Sequence, residues 1–547
     1  MTTTALGLRN RGAVLDTEHA GDIRGALGTI RLDDTSPRRG RSAVLKTLLA
    51  IVGPGLIVMV GDNDAGAFAT YGQAGQNYGT RLLWTLLLLV PVLYVNQEMV
   101  LRLGAVTGVG HARLILERFG KFWGAFSVID LFILNALTII TEFIGIALAA
   151  AYLGVPKVLA VALAAVVIIG AAFTGSFRRF ERMAVGLCGG SLLLIPVYVL
   201  AHPAASQMTK GFVTPVLPGG SGQLATVMLL VIGIVGTTVA PWQLFFQQSY
   251  VIDKRITPRF IKYEKADLWI GIVVVVLGAG AIMGFTAAAF AGTHGFGHFS
   301  DAAGLAAGLQ AHAGRIAGVL FAIALLDASI IGAFAVSLST AYALGDVFGL
   351  RHSLHRGVKG AKGFYAIYGG LVLAAAAVVL IPGSPLGLLT EGVQALAGVL
   401  LPSAAVYLLL LCNDSEVLGP WVNRLRTNLF TGTVVTVLVA LSVILTASVI
   451  DPGLTARQIV LILGGVVGAA LVGGACFAIG RLRSGGRLEV AVIDRSDREN
   501  WRMPPLALLQ RPRVPLGRKI GMTILRSYLA VATVLVAVKI VQLALGH

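Results

Sequence analysis

VGDNDAGAFAT, residues 60–70, is the stretch whose reading decides the fold. It interrupts an apolar run, with TLLAIVGPGLIVMV before it and TYGQAG after. Asp62 and Asp64 flank Asn63 where the surrounding hydrophobicity implies membrane depth. An acid at the centre of a spanning helix costs about 2.5–3.5 kcal/mol on insertion scales, so such residues mark functional sites by default. Gly61 and Gly66 bracket the acids and permit an unwound backbone there.

The rest of the chain agrees with the membrane setting. Of its 547 residues, 56% are hydrophobic and only 13% charged, too few charges to cover a soluble protein of this size. Mean hydropathy is +0.83, and apolar stretches of about 18 residues or more recur along the chain, which makes it a polytopic helical membrane protein. The net charge of +17 is not a nucleic-acid-binding face, because the Lys and Arg residues sit in short segments between apolar runs. RRFER at 178–182, KRITPRFIKYEK at 254–265 and RHSLHRGVKGAK at 351–362 fall at every second connection. That alternation places the N-terminus in the cytoplasm and the protein in the cell (plasma or inner) membrane. No cleavable signal peptide is expected. Cys188, Cys412 and Cys476 read as small buried hydrophobes, with neither disulfide nor metal spacing.

The expected organisation is a disordered cytoplasmic tail over 1–44 and a first five-helix unit over 45–205. A second, inverted five-helix unit covers 220–412, and two further spanning helices cover 427–481. A cytoplasmic segment over 482–519 and a C-terminal hydrophobic helix over 520–547 follow. The first apolar segment and the sixth, VIGIVGTTVAPWQLFFQQS at 231–249, are both interrupted by Gly or Pro and both carry polar side chains midway. Paired broken helices at matching places in two halves point to a transporter with a midplane site. Unwound backbone there offers carbonyl oxygens and half-helix ends to a cation.

An unwound turn around 61–67 places the carbonyls near Gly61 beside the Asp64 carboxylate, and a break in the sixth helix adds Thr237 and Thr238. No His, Cys or Met lies within either break, and oxygen-only sites suit hard cations such as Mg²⁺ and Mn²⁺. Each candidate has a plain structural alternative. Asp64 is the central ligand or a helix-end acid; Asp62 is a ligand or a solvated cap; Asn63 is a ligand or a turn former. Thr237 is a ligand or back-bonds within its helix. Asp327, an isolated acid in FAIALLDASIIGA, lines the pathway or caps a discontinuity. Histidines 111, 294, 298, 352 and 355 read as solvated loop residues.

GPGLIVMVGDNDAGAFAT resembles the first helix of the natural-resistance-associated macrophage protein (NRAMP) family of divalent-metal transporters, whose hallmark is Asp-Pro-Gly-Asn. The hallmark falls on Asp64-Ala65-Gly66-Ala67. QEMVLRLGAVTG (97–108) resembles the family's second helix, and TEFIGIALA (141–149) its third, with Glu142 at the family acid. QALAGVLLP places Gln394 at a family glutamine. The resemblance covers roughly residues 45–450 and implies a leucine-transporter-like fold of five plus five helices. The departures are specific. The family's sixth-helix Met-Pro-His reads Ala240-Pro241-Trp242, its hallmark asparagine is Ala67, and the acid three residues before Glu142 is Ile139. This pattern resembles the magnesium-transporting branch, in which a wider site holds a partly hydrated ion.

The expected function is therefore import of divalent cations, Mg²⁺ and also Mn²⁺, by alternating access. The metal site is expected from Asp64, Gly61, Asp62, Asn63, Thr237, Ala240 and Gln394, with Glu142, Trp242 and Asp327 as gating or pathway residues. Loss of a histidine and an acid removes two proton carriers, so proton coupling is not expected. No cofactor, enzyme motif or nucleic-acid partner is expected; the partners are the cation and the bilayer, and a monomer is compatible with the sequence. The alternative is a sodium-coupled symporter of a small organic solute on the same fold. An Asp pair beside the site disfavours it, by repelling a substrate carboxylate.

Overall fold

The computed structural model describes residues 15–218, 224–382, 386–450, 455–483 and 495–509, with isolated helical positions beyond. The expected C-terminal helix and residues 1–14 thus lie almost wholly outside the described residues, as does the Cys476 side chain. Among the described residues, ten helices are long and apolar enough to cross a membrane, or eleven if one bent pair counts as a span.

The first span is in three pieces: α1 (Arg41–Ile51), α2 (Pro54–Val60) and α3 (Ala65–Tyr78). α1 and α2 meet at 53°, where Gly53 adopts φ 157°. Then follow α4 (Trp84–Thr107), the short α5 (His111–Phe119), α6 (Lys121–Leu153) and α7 (Lys157–Ala172). α8 (Phe177–Cys188) and α9 (Leu194–Ala201) form one span through a 3₁₀ turn, and α10 (Ala205–Val213) is a surface helix. The sixth span breaks into α11 (Leu224–Thr238) and α12 (Pro241–Asp253). After it come α13 (Ile261–Phe290), the short α14 (Ala302–Ala313), α15 (Arg315–Phe348), α16 (Lys362–Val379) and α17 (Leu386–Cys412). α18 (Ser415–Leu418), α19 (Leu425–Ile450) and α20 (Ala456–Arg483) complete the described helices. Each broken span heads a set of five membrane-crossing elements, and the two sets pack around the breaks.

The bend at 52–53 exposes carbonyls ending α1 and amides starting α2. Lys254 Nζ donates to Ile51 O at 2.7 Å and Val52 O at 2.9 Å, and pairs with Glu181 at 2.7 Å. Asp267 accepts from the amides of Gly53, Gly55 and Leu56. Each charge thus opposes the helix end of the opposite partial charge, deep in the protein. Removing Lys254 alone would leave Glu181 buried and unpaired, a change that commonly costs about 3–5 kcal/mol.

The tail expected to be disordered over 1–44 is ordered from residue 15 onward. A two-stranded hairpin, β1 (Ile23–Arg24) and β2 (Thr29–Ile30), lies against the inner end of α1. Gly25 and Gly28 sit so close to Ala50 that a Cβ at either would collide with it. Ala26 N donates to Glu181, and the Arg356 guanidinium grips Asp16, with Nη2 to Oδ1 at 2.6 Å. Arg259 donates to the carbonyls of Asp34, Thr35 and Ser36. Acids of this tail, Asp16 and Glu18, are engaged by Arg356 and Arg255, up to 340 residues away. Burial raises the Asp16 carboxyl, but Arg356 and the Glu18 amide hold it below its ordinary range.

Three of the histidines expected to be solvated are not: His355 bonds the Asp253 carbonyl and stacks on Phe177, and two others are buried. His111 is 1% exposed and bonds Gln248. His352 is 3% exposed, its Nε2 lies 3.0 Å from Asp346, and its Nδ1 lies 2.6 Å from Leu350 O. Burial pulls its pKa down, but Asp346 outweighs burial and pushes it up to about 9. A folded-state pKa above the unfolded value of about 6.5 adds stability that is full below pH 6.5 and lost as pH rises through 9. Thermal unfolding in detergent should therefore show a midpoint falling between pH 7 and pH 9.5. His352→Gln should start lower and lose part of that slope; an unchanged slope would exclude this pair as its source.

Candidate functional site

Both breaks meet at the centre of the bundle. Between α2 and α3 the chain leaves the helix over residues 61–64 and resumes at Ala65. The unwound turn is thus narrower than 61–67, because Asp64, in extended conformation, caps α3 by accepting from Ala67 N at 2.9 Å. Between α11 and α12 the break is Val239–Ala240, with Ala240 at φ −81°, ψ 144° just before Pro241. Two helix C-termini and two helix N-termini therefore converge, the arrangement that presents both carbonyls and positive dipole ends to one point.

The side chains follow from these ends. Asp62 is fully buried, and its Oδ1 accepts from Gln243 Nε2 in the first turns of α12. Gln243 Oε1 in turn accepts from Gln97 Nε2 of α4 at 2.9 Å. Asp64 and Glu142 of α6 touch through their carboxyls, and Glu142 Oε2 also accepts from Ala65 N at 3.2 Å. Gly332 of α15 allows that pairing, since a Cβ there would lie 2.7 Å from the Glu142 carboxyl carbon and 3.0 Å from Asp64 Cβ. Gln394 of α17 lies against Gly66, whose missing Cβ would collide with its amide. Thr238 ties α11 to α3 through a 2.7 Å bond with Tyr71, while Thr237 Oγ1 is buried without a partner.

Asp62, Asp64, Glu142 and Gln394 thus gather about the unwound first span, with Gly61, Thr237 and Ala240 in the two broken segments. Asn63 turns away: its Nδ2 donates to Val275 O at 3.2 Å, and it shares a small cavity with Asp327. Asp327 lies against Gly190, on the far side of α15 from Gly332. Trp242 is buried at 1% exposure, with Gly61 close to its ring edge and Phe246 beside it.

Gln243 and Gly332 lie at the candidate site and carry no motif that singles them out, and Gln97, which also lies there, opens the QEMVLRLGAVTG string without being marked by it as a site residue. The available signal was amide density, since WQLFFQQ holds three glutamines in an apolar span. Among the described residues no group of three or more His, Cys, Asp or Glu side chains converges on a metal position. The donors are instead oxygens of mixed type. Asp62 Oδ2, Asn63 Oδ1, Glu142 Oε1 and Thr237 Oγ1 are buried without a protein partner. Such acceptors call for a cation or a proton.

A family model described as natural resistance-associated macrophage protein-like matches residues 55–448. The divalent metal cation transporter MntH of Burkholderia ambifaria is 30% identical over 431 residues, covering 74% of this chain and 90% of the relative. MntH of Ralstonia nicotianae is 30% identical over 410 residues, covering 70% and 87%. A crystal structure of the Eremococcus coleocola manganese transporter, in complex with an aromatic bis-isothiourea substituted compound, superposes with a TM-score of 0.61 at 21% identity. It covers 83% of this chain and 99% of that one, which shows the shared fold.

Gln243→Ala would leave Asp62 buried with no donor. The expected loss of stability is about 1–3 kcal/mol, read as a lower thermal unfolding midpoint. A midpoint equal to that of the parent protein would mean that Asp62 has another partner.

Proposed function

The chain belongs to the natural resistance-associated macrophage protein-like family, and from that premise we propose that it imports divalent metal ions, Mg²⁺ foremost and Mn²⁺ with it, without proton coupling. It is a membrane transporter rather than an enzyme.

The observation that carries the ion preference is the chemistry at Ala240. This residue caps α12 beside the break, is 4% exposed, and brings a methyl group where the family presents a thioether. What remains around the breaks is carboxylate, amide, hydroxyl and peptide oxygen. Mg²⁺ takes oxygen ligands and gives up water reluctantly, whereas sulfur favours softer transition metals. Asp64 is the central ligand in this reading, with Asp62, Thr237 and the carbonyls near Gly61 and Ala240 as its company, while Asn63, whose amide bonds Val275 O, stands outside the set. Gln394 lines the site, and Glu142 and Trp242 stand along the pathway. Asp327 belongs to an outer stretch of that pathway at most, given its distance around α15 from Gly332. The names of the MntH relatives support a divalent cargo for the family at large.

Transport by alternating access follows from the placement of the breaks. Short helical arms hinge at unwound turns while α4, α6 and α13 form a frame around them. The two five-span sets are inverted repeats in this reading. The Arg-rich ends of the spans face the cytoplasm, with the N-terminus among them. The absence of proton coupling rests on Trp242 and Ile139, side chains that carry no proton at positions where the family has a histidine and an acid.

Asp64→Ala should abolish ²⁸Mg²⁺ or Mn²⁺ uptake into proteoliposomes while leaving the protein inserted and folded; retained uptake would remove the central ligand. Ala240→Met should shift competition toward Mn²⁺ and Fe²⁺, and an unchanged ion ranking would place residue 240 off the ion. Liposomes carrying a pH dye should show no lumenal acidification in step with Mg²⁺ entry, and a stoichiometric acidification would refute uncoupled transport.

A further inference from the structure

A second polar cavity lies far from the breaks, at the Arg-rich end of the bundle. Its volume is about 340 Å³, and it opens between α4, α13, the start of α19 and the segment 495–498. Five cationic side chains line it, Arg102, Lys265, Arg424, Arg495 and Arg498, against one carboxylate, Glu98. Glu98 is already matched, by Arg102 at 3.1 Å and Lys265 at 2.8 Å. Arg424, Arg495 and Arg498 have no carboxylate partner among the described residues. Clustered arginines with no counter-charge repel one another unless an anion joins them.

Two further features build the cavity for an anion. Arg102 is 6% exposed, and its guanidinium is fixed by Asn423 at 2.7 Å and by the Trp421 carbonyl, yet its Nε has no partner. α19 begins at the cavity wall, where Thr427 in its first turn lines the space and the helix dipole adds positive potential. A planar guanidinium held on rigid elements suits phosphate oxygens.

The surroundings favour a lipid over a soluble anion. On α13 beside Lys265, Trp269, Ile270 and Val273 are 43%, 41% and 52% exposed. On α19, Leu425 and Leu429 are 73% and 64% exposed. Both helices are membrane spans, so these side chains face acyl chains. Tyr94 of the cavity wall stacks on Trp269 with ring centroids 4.8 Å apart, an aromatic pair at the level where headgroups begin. A molecule with a phosphate head and two apolar tails satisfies the cavity and its flank together.

We propose that this cavity binds the headgroup of an anionic phospholipid, and that the bound lipid clamps the segment 495–509 onto the bundle. That segment already docks there. The Arg498 guanidinium lies 4.8 Å over the Trp421 ring, Trp421 Nε1 donates to Arg498 O at 2.7 Å, and Met503 is fully buried with its amide on Val106 O. The headgroup supplies the missing charge between Arg495 and Arg498 on one side and Arg102 and Arg424 on the other. Basic pockets between spanning helices are places where anionic headgroups bind.

The test uses the full chain in detergent, titrated separately with dioctanoyl phosphatidylglycerol, dioctanoyl phosphatidylcholine and inorganic phosphate. Thermal unfolding and native mass spectrometry are the readouts. Phosphatidylglycerol should raise the midpoint saturably and give a one-lipid adduct, while the other two do neither at equal concentration. The R424Q/R498Q double variant should weaken that response on the order of tenfold, and R424K/R498K should recover most of it. An equal response to phosphatidylcholine, or an unchanged response in the glutamine variant, would overturn the proposal. So would inorganic phosphate acting as strongly as phosphatidylglycerol, since the ligand would then be a soluble anion. If the double variant does not fold, R495Q takes its place: a weakened phosphatidylglycerol response supports the headgroup site, and an unchanged one overturns it.

Discussion

A peptide group freed from its helix inside a bilayer has no water to turn to, and this protein's architecture follows from how it answers that constraint. Its first span is interrupted twice. At the bundle's centre, Asp64 caps the restarted helix and Glu142 takes a second amide. At the bend near Gly53, Lys254 holds the carbonyls that end one helix and Asp267 holds the amides that begin the next. Both interruptions are therefore closed by charge set against dipole. The bend is held by a buried lysine, whereas among the described residues no cationic side chain pairs with the acids of the candidate site.

At the joint the freed backbone groups have side-chain partners, Lys254 meets Glu181 and Asp267 has three amide donors, while Glu264 beside them is buried with neither oxygen partnered. At the centre the carboxylate oxygens of Asp62, Asp64 and Glu142 outnumber the protein donors that reach them. Asp62 has one amide and Glu142 has one backbone N–H, and each keeps an oxygen without a protein partner. A cation entering there would meet carboxyl oxygens that the protein has positioned and left without donors. The strength of such a site depends on exclusion of water, because the same charges interact several times more weakly in a solvated cleft.

The ends of the bundle use the same pairing of charge with freed backbone in a less buried setting. The ordered stretch from residue 15 ties the inner end of α1 to the α12–α13 connection and to the loop after α15, through Arg255, Arg259 and Arg356. These elements belong to the first, sixth and eighth spans in chain order, so the strap bridges the broken first span and its neighbours. The segment 495–509 does the corresponding work on α4 and the loop before α19. Neither has an apolar face long enough to announce itself as structure; the first is held by arginines that read in isolation as surface charge, the second by Trp421 and the buried Met503.

The membrane class, the two broken spans and the acids at the first break were legible in the residues alone. Length and apolarity dictate helices in a bilayer, and Gly, Pro and a buried acid can only mean an interruption that something must satisfy. The family resemblance, too, rests on local strings such as GPGLIVMVGDNDAGAFAT. The partners were not legible. Gln243 at Asp62, Lys254 on the carbonyls of Ile51 and Val52, the ordered tail, and His352 beside Asp346 all join residues that only folding brings together. A hydrogen bond is selected by position in space, and a charge in a loop looks the same in sequence whether it ends in water or against a helix end. Sequence determined where this chain must break; tertiary structure decided which side chains close each break, because those partners come together only in space.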